Sequence, residues 1–163
     1  MFRDRIKELR RVRAGDLVPH PRNWRTHPPQ QQVAIRAMLD EVGWADALIA
    51  REKDGAIELV DGHLRAGLDA ETLVPVLIVD LSDEEADKVL LTLDPLANMA
   101  IPDLDAVRLL AERVPFFQND SLREMIGELC AQGLEQLAHG NNDQRRLDEL
   151  WIACPKCGAK FSR

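Results

Sequence analysis

No apolar run in this sequence approaches the roughly 20 residues needed to span a bilayer, so no membrane partner is expected. The opening Met1-Phe2-Arg3-Asp4-Arg5 is charged, and no apolar leader segment follows it, which points to a cytoplasmic protein. Cysteine is scarce. Cys130, Cys154 and Cys157 form an odd set of three, which suits a reducing compartment better than a disulfide framework. Internal repeats and low-complexity tracts are also missing. No Ser-His-Asp arrangement, Walker-type glycine loop or Asp/Glu nuclease cluster is visible, so several familiar routes to hydrolysis and phosphate binding lack their sequence signature.

What is present is a chain of 163 residues, 45% hydrophobic and 30% charged, long enough for one main core and a small appendage. The net charge of -7 is unevenly spread. Residues 1 to 36 hold nine basic and three acidic side chains, a balance of +6, and the remainder carries -13. Either the basic head meets a phosphate-rich partner such as DNA, or it is a solvated helix face.

The apolar spacing Phe2, Ile6, Leu9 and Val12 predicts a basic amphipathic helix over Phe2 to Arg13. Asp16-Leu17-Val18 before Pro19-His20-Pro21 reads as a short edge strand stopped by proline. Arg22, Asn23, Trp24 and Arg25, between His20 and His27, lie in a proline-bounded loop. That mixture suits stacking and phosphate contact, hence DNA, although an ordinary surface loop has the same look. A helix follows from about Pro29 to Gly43, with Val33, Ile35, Met38, Leu39 and Val42 expected to face inward. Leu48 to Arg51 and Ile57 to Val60 read as two strands of a hairpin turned by Lys53-Asp54-Gly55. Val74 to Val79 reads as a buried strand, and Ser82 to Glu85 as a capping box opening a helix towards Asp94-Pro95. Further helices are predicted after Asp103, with Leu104, Val107, Leu109 and Leu110 inward, and after Asp120. The polar stretch from His139 to Gln144 is the linker candidate.

The richest stretch is Asp61-Gly62-His63-Leu64-Arg65, where the second hairpin strand runs through glycine into a short helix predicted over His63 to Ala70. Gly62 permits close backbone approach, the helix start offers N–H groups, and Arg65 is suited to a phosphate. His63 offers a donor or an acid/base near neutral pH, and Asp61 either orients it or holds magnesium. The bland reading is a solvent-facing Asp-Gly turn.

This order of signals resembles the N-terminal domain of the ParB/sulfiredoxin superfamily, across roughly Asp16 to Met99. Gly62, His63, Leu64 and Arg65 match the family's Gly-x-x-Arg segment. Leu48-Ile49-Ala50-Arg51 looks like its preceding strand box, and Leu93 to Met99 takes the place of its asparagine-containing box. The resemblance implies an α+β fold, a small mixed sheet with flanking helices, followed by a helical C-terminal half and a Cys-containing tail. It implies a ParB-like part over residues 1–100, a helical extension over 101–138, and a linker with tail over 139–163. It also implies nucleotide or phosphate binding by Gly62, His63, Arg65, Arg51 and Asn98, with CTP or another nucleoside triphosphate plus Mg as ligand. Length and tail look most like small phage or mobile-element members. His63 stands where sulfiredoxin has its cysteine, which argues against sulfinic reductase chemistry. Arg65 alone remains of the consecutive arginines of the partition branch.

Cys154 and Cys157 have the spacing of half a zinc knuckle. Cys130 and His139 complete the site, or two chains of a homodimer share one, or the thiols are free. The sequence therefore points to a regulatory DNA- or nucleotide-binding protein associated with partition or modification. The alternatives are a triphosphatase or nuclease of the same fold, with His63 and Asp61 acting on phosphate, and a protein-interaction module.

Overall fold

The structure is a computed structural model and describes residues 2–114, 119–129, 151–153 and 160–162. The chain divides into two compact units, Met1–Pro102 with Phe116–Arg123, and Asp103–Pro115 with Glu124–Arg163.

The first unit is built on a five-stranded mixed sheet of order β1-β5-β3-β4-β2. Its strands are β1 (Ile6–Arg13), β2 (Leu17–Pro19), β3 (Leu48–Lys53), β4 (Ala56–Asp61) and β5 (Leu73–Val79). β1 runs antiparallel to β5 and β3 antiparallel to β4, while β5 and β3, and β4 and β2, are parallel. Helices α1 (Pro29–Val42), α2 (His63–Ala66) and α3 (Asp83–Ala97) accompany it. This is the α+β arrangement expected from the sequence.

The turn chemistry explains how β3 returns as β4. Asp54 and Gly55 both have positive φ, 51° and 79°, the backbone that a two-residue hairpin turn requires. In β5, Pro75 sits outside the β3 pairing, which begins at Val76, so its missing N–H costs no ladder bond on that side. Register places Leu48 beside Val76, and Ala50 between Leu59 and Ile78, so these residues share one face. With Val12, Val74 and Ala66 they form the apolar core. On the alternate positions, Arg51 lies opposite Glu58, and Arg51 reaches Asp83 at the start of α3.

The expectations for β1 and for the face of α1 are corrected. Ile6–Arg13 is an edge strand, not a helix. Its helical spacing buries only Val12, which pairs with Val74. The pairing partner β5 is rich in β-branched residues, and this long-range pairing overrides the local period. Leu9 and Ile6 remain exposed. In α1 the bounds agree with expectation, with Pro29 in the first turn and Gly43 at φ 85° closing the helix. Its inward face does not agree, for Val33, Met38 and Val42 are exposed and only Ala34 is buried.

In the second unit, α4 (Leu104–Arg113) begins at Asp103, whose side chain accepts the Ala106 N–H at 3.0 Å. None of its residues is buried: of the expected inward face, Leu104 and Val107 are half-buried and Leu109 and Leu110 exposed among the described residues. Residues 120–129 are helical. β6 (Trp151–Ala153) and β7 (Lys160–Ser162) pair antiparallel. Cys130, Cys154, Cys157 and His139, and hence the zinc expectation, lie outside the described residues. No helix among the described residues is long and apolar enough to cross a membrane.

Candidate functional site

β4 ends at Asp61, and Gly62 turns the chain into α2 with φ 91° and ψ 22°. A Cβ at Gly62 would lie 2.3 Å from Leu48 Cδ2 and 3.3 Å from Arg65 Nη2. Glycine is thus demanded twice, by the left-handed backbone and by packing against the core. The helix that follows is a single turn, His63–Ala66, shorter than expected. The Ala66 N–H donates to the Gly62 carbonyl at 2.9 Å, and Gly67 caps the turn. Asp69 then gathers the Glu71 N–H and the Thr72 hydroxyl, which sets a turn where the helix would have continued.

This junction forms one wall of a cavity of about 520 Å³. The proline-bounded loop contributes Asn23, Arg25 and His27, α1 contributes Ile35, Met38 and Leu39, and α3 contributes Leu90, Leu93 and Asp94. Asp61, Gly62, His63, Arg65 and Asp46 complete the polar side. Of the five apolar α1 residues expected to face inward, Ile35, Met38 and Leu39 line this cavity, while Val33 and Val42 are exposed outside it.

His63 is held from behind. The His20 backbone N–H donates to its Nε2 at 3.2 Å, which makes Nε2 an acceptor and places the ring proton of neutral His63 on Nδ1. Burial is the main cause that lowers the His63 pKa from its ordinary value; His20, His27 and Arg25 add to it, and Asp61 opposes them. His20 is itself buried, with Nε2 3.7 Å from both Glu58 and Asp87 and Nδ1 accepting the Arg22 N–H at 3.2 Å.

Both arginines of the cavity are paired. Arg65 contacts Asp46 through Nη1 and lies 3.3 Å from Asp61 through Nη2. Arg25 contacts Asp94 and stacks on the Trp24 ring, 4.9 Å from its centroid. Trp24 is anchored by its Nε1–H donating to the Leu90 carbonyl at 3.3 Å. The cavity thus holds two guanidiniums and three carboxylates, Asp46, Asp61 and Asp94, together with the imidazoles of His27 and His63. His27 Nδ1 is 3.0 Å from Gln31 Oε1.

The other expected site residues fall elsewhere. Arg51 is buried on β3 and does not line the cavity. Its guanidinium is 2.6 and 2.8 Å from Glu58, and it also donates to the Leu81 carbonyl. Asn98 is exposed at the far end of α3, where its N–H donates to the Asp94 carbonyl. Arg22 is an exposed partner of Asp87. Asn23 lines the cavity and accepts the Arg25 N–H at 3.3 Å. Sequence reasoning missed Asp46 and Gln31, neither of which stands in a recognisable motif. The basic head is largely neutralised: Arg3 and Arg5 pair with Glu85, Arg10 with Glu8 and Glu52, and Arg13 with Glu71. Lys7 and Arg11 make no ion pair among the described residues.

The mixed sheet, its flanking helices and the glycine turn after β4 define a ParB-like N-terminal fold. Among solved structures, the chain is similar to the C-terminally truncated chromosome-partitioning protein ParB from Caulobacter crescentus complexed with CTP-gamma-S. The TM-score is 0.57 at 16% identity, over 88% of this chain and 91% of that one. It is also similar to the C-terminally truncated ParB from Caulobacter crescentus complexed to the centromeric parS site, with TM-score 0.43 at 18% identity over 79% and 72% of the two chains. A Pnob8-like ParB-N domain is matched with TM-score 0.33 at 15% identity, over 96% of this chain and 59% of that one. No family model and no curated protein matches the sequence.

Proposed function

We propose that this chain is a ParB-like nucleotide-binding protein, with the nucleotide in the cavity at the Asp61 to Arg65 turn and DNA as its macromolecular partner. The observation that carries the reading is the convergence of Arg25, Arg65, His27 and His63 on one cavity with an apolar wall on α1 and α3. A volume of about 520 Å³ lies in the range of small-molecule and cofactor sites. The donor set fits a phosphorylated nucleoside: Arg65 and Arg25 for phosphate, the His63 Nδ1–H as a neutral donor, and Ile35, Met38 and Leu93 for the base. The ParB structure bound to CTP-gamma-S supports CTP as the first ligand to try. Among the described residues no three His, Cys, Asp or Glu gather as a metal site, so magnesium would depend on the phosphates and on one carboxylate such as Asp61.

Binding is the reading, rather than turnover. The His63 ring weighs against the enzymatic alternative: its Nε2 lone pair accepts the His20 N–H, so the Nδ1–H of the neutral ring can donate a hydrogen bond but cannot take up a proton as a general base. For DNA, the structural support is the pair Lys7 and Arg11 on the outer strand, which no carboxylate among the described residues neutralises. If they meet phosphates, replacing either by alanine lowers the salt slope of DNA affinity by about 1.

Calorimetric titration with ATP, CTP, GTP and UTP plus magnesium, on wild type and Arg65→Ala, tests the nucleotide reading. The expected result is saturable binding of at least one, weakened about tenfold or more by Arg65→Ala. Absence of binding to all four by the wild type removes the nucleotide reading and leaves DNA or protein binding.

A further inference from the structure

We infer that Asp46 and Asp94 are exchangeable gates on the two arginines of the cavity, holding the places that the phosphates of a nucleotide take when it binds. The inference rests on the nucleotide reading above and adds what sets ligand preference there. Its basis is an asymmetry within each pair. The Arg65 side chain is 18% exposed while Asp46 is 64% exposed, and Arg25 is 22% exposed while Asp94 is 41% exposed. The cations are wall and the carboxylates stand towards water. An ion pair with a solvated partner is weak, so a bidentate phosphate can displace that partner.

Each guanidinium also has a second contact that stays when the gate leaves. Arg65 keeps Asp61 at 3.3 Å, and Arg25 keeps the Trp24 ring at 4.9 Å. Trp24 in turn is tied to the Leu90 carbonyl, and Asp61 closes β4. Exchange therefore leaves both guanidiniums supported and asks only two solvated side chains to swing away. The two gates come from different places, Asp46 from the segment between α1 and β3 and Asp94 from the last turns of α3.

Charge counting gives the consequence for ligand class. With the gates in place the cavity has three carboxylates against two guanidiniums. A displaced carboxylate stays tethered within a few bonds of the site and repels each further negative charge on the ligand. The wild-type cavity therefore penalises a triphosphate more than a monophosphate. Removing a gate raises triphosphate affinity more than monophosphate affinity.

The test is calorimetric titration of wild type, Asp46→Asn and Asp94→Asn with ATP, CTP, GTP and UTP and their monophosphates at low salt. Glu84→Gln, which loses only the exposed α3 pair with Lys88, serves as the control. For whichever nucleotide the wild type binds, each variant is expected to tighten the triphosphate roughly two- to fivefold, with a smaller change for the monophosphate and none in the control. Because the two gates lie on separate elements, damage to the fold by one substitution would not reproduce the effect of the other. Unchanged or weaker triphosphate binding in both variants, with wild-type binding intact, overturns the gate and spares the nucleotide reading. If no form binds any nucleotide, both fall.

Discussion

Arg51 and Arg65 are each paired with two carboxylates in the same unit, yet their surroundings give them opposite work. Arg51 and Glu58 are only 4% and 10% exposed, on neighbouring central strands, and the guanidinium is saturated by Glu58, Asp83 and the Leu81 carbonyl. A buried cation of this kind has no water to fall back on, so its partner is fixed. Arg65 faces a cavity, and its nearer partner, Asp46, is mostly solvated. The same residue types thus build a brace on one face of the sheet and a changeable contact at the end of β4. What separates them is the burial of Arg51 with one of its partners, Glu58 at 10% exposed, a depth that neither Asp46 at 64% nor Asp61 at 27% shares.

The sharpest way to break this comparison is to remove one carboxylate from each place. Glu58→Ala leaves the Arg51 charge buried with only the exposed Asp83 beside it, and should cost about 3 kcal/mol or more in denaturant unfolding. Asp46→Ala should stay within about 0.5 kcal/mol. Equal losses would mean that the two arginines do not differ in kind. Next in size is Gly62→Ala, which forces an L side chain into φ 91° and against Leu48. A loss of about 2 kcal/mol in thermal unfolding is expected, and a neutral result would show that the turn relaxes freely. Ser82→Ala removes the side chain that accepts the Glu85 N–H at the start of α3, on the Arg51 side, and should cost about 1 kcal/mol without altering ligand binding.

The smallest effect is electrostatic. His63 has a lowered pKa in the folded state, so the unfolded chain takes up this proton first as the pH falls. Stability from this group is therefore complete above the ordinary histidine range near 6.5. It declines as the pH drops through that range and levels off below the lower folded value. His63→Gln should flatten that part of a melting-temperature profile between about pH 7 and pH 5. A profile of unchanged slope would mean that burial of His63 is not what the protein pays for.

Much of this architecture is written in local chemistry. Asp54-Gly55 specifies its hairpin turn, Ser82 and Glu85 specify the reciprocal cap of α3, and Pro29 and Gly43 delimit α1. Gly62 was legible as a turn glycine, although its need is set by Leu48 as much as by backbone approach. Less legible were features fixed by distant segments. β1 carries a helical spacing and becomes a strand because β5, more than 60 positions later, supplies its ladder. Arg51 looks like a candidate phosphate ligand until register sets it beside Glu58. The cavity residues Asp46 and Asp94 meet Arg65 and Arg25 only after α1 and α3 have packed, so no spacing announces them. The apolar face of α1 has the period of a core helix whether it covers a sheet or a ligand site.

The most direct measurement is a ¹H–¹⁵N correlation spectrum of the protein titrated with CTP and magnesium. Saturable shifts at Gly62, His63, Arg65 and the Arg25 loop are expected, with the amides of Arg51 and Glu58 unmoved. Shifts confined to the Arg51 and Glu58 side, or none at the Gly62 turn, would contradict assignment of the site to this cavity.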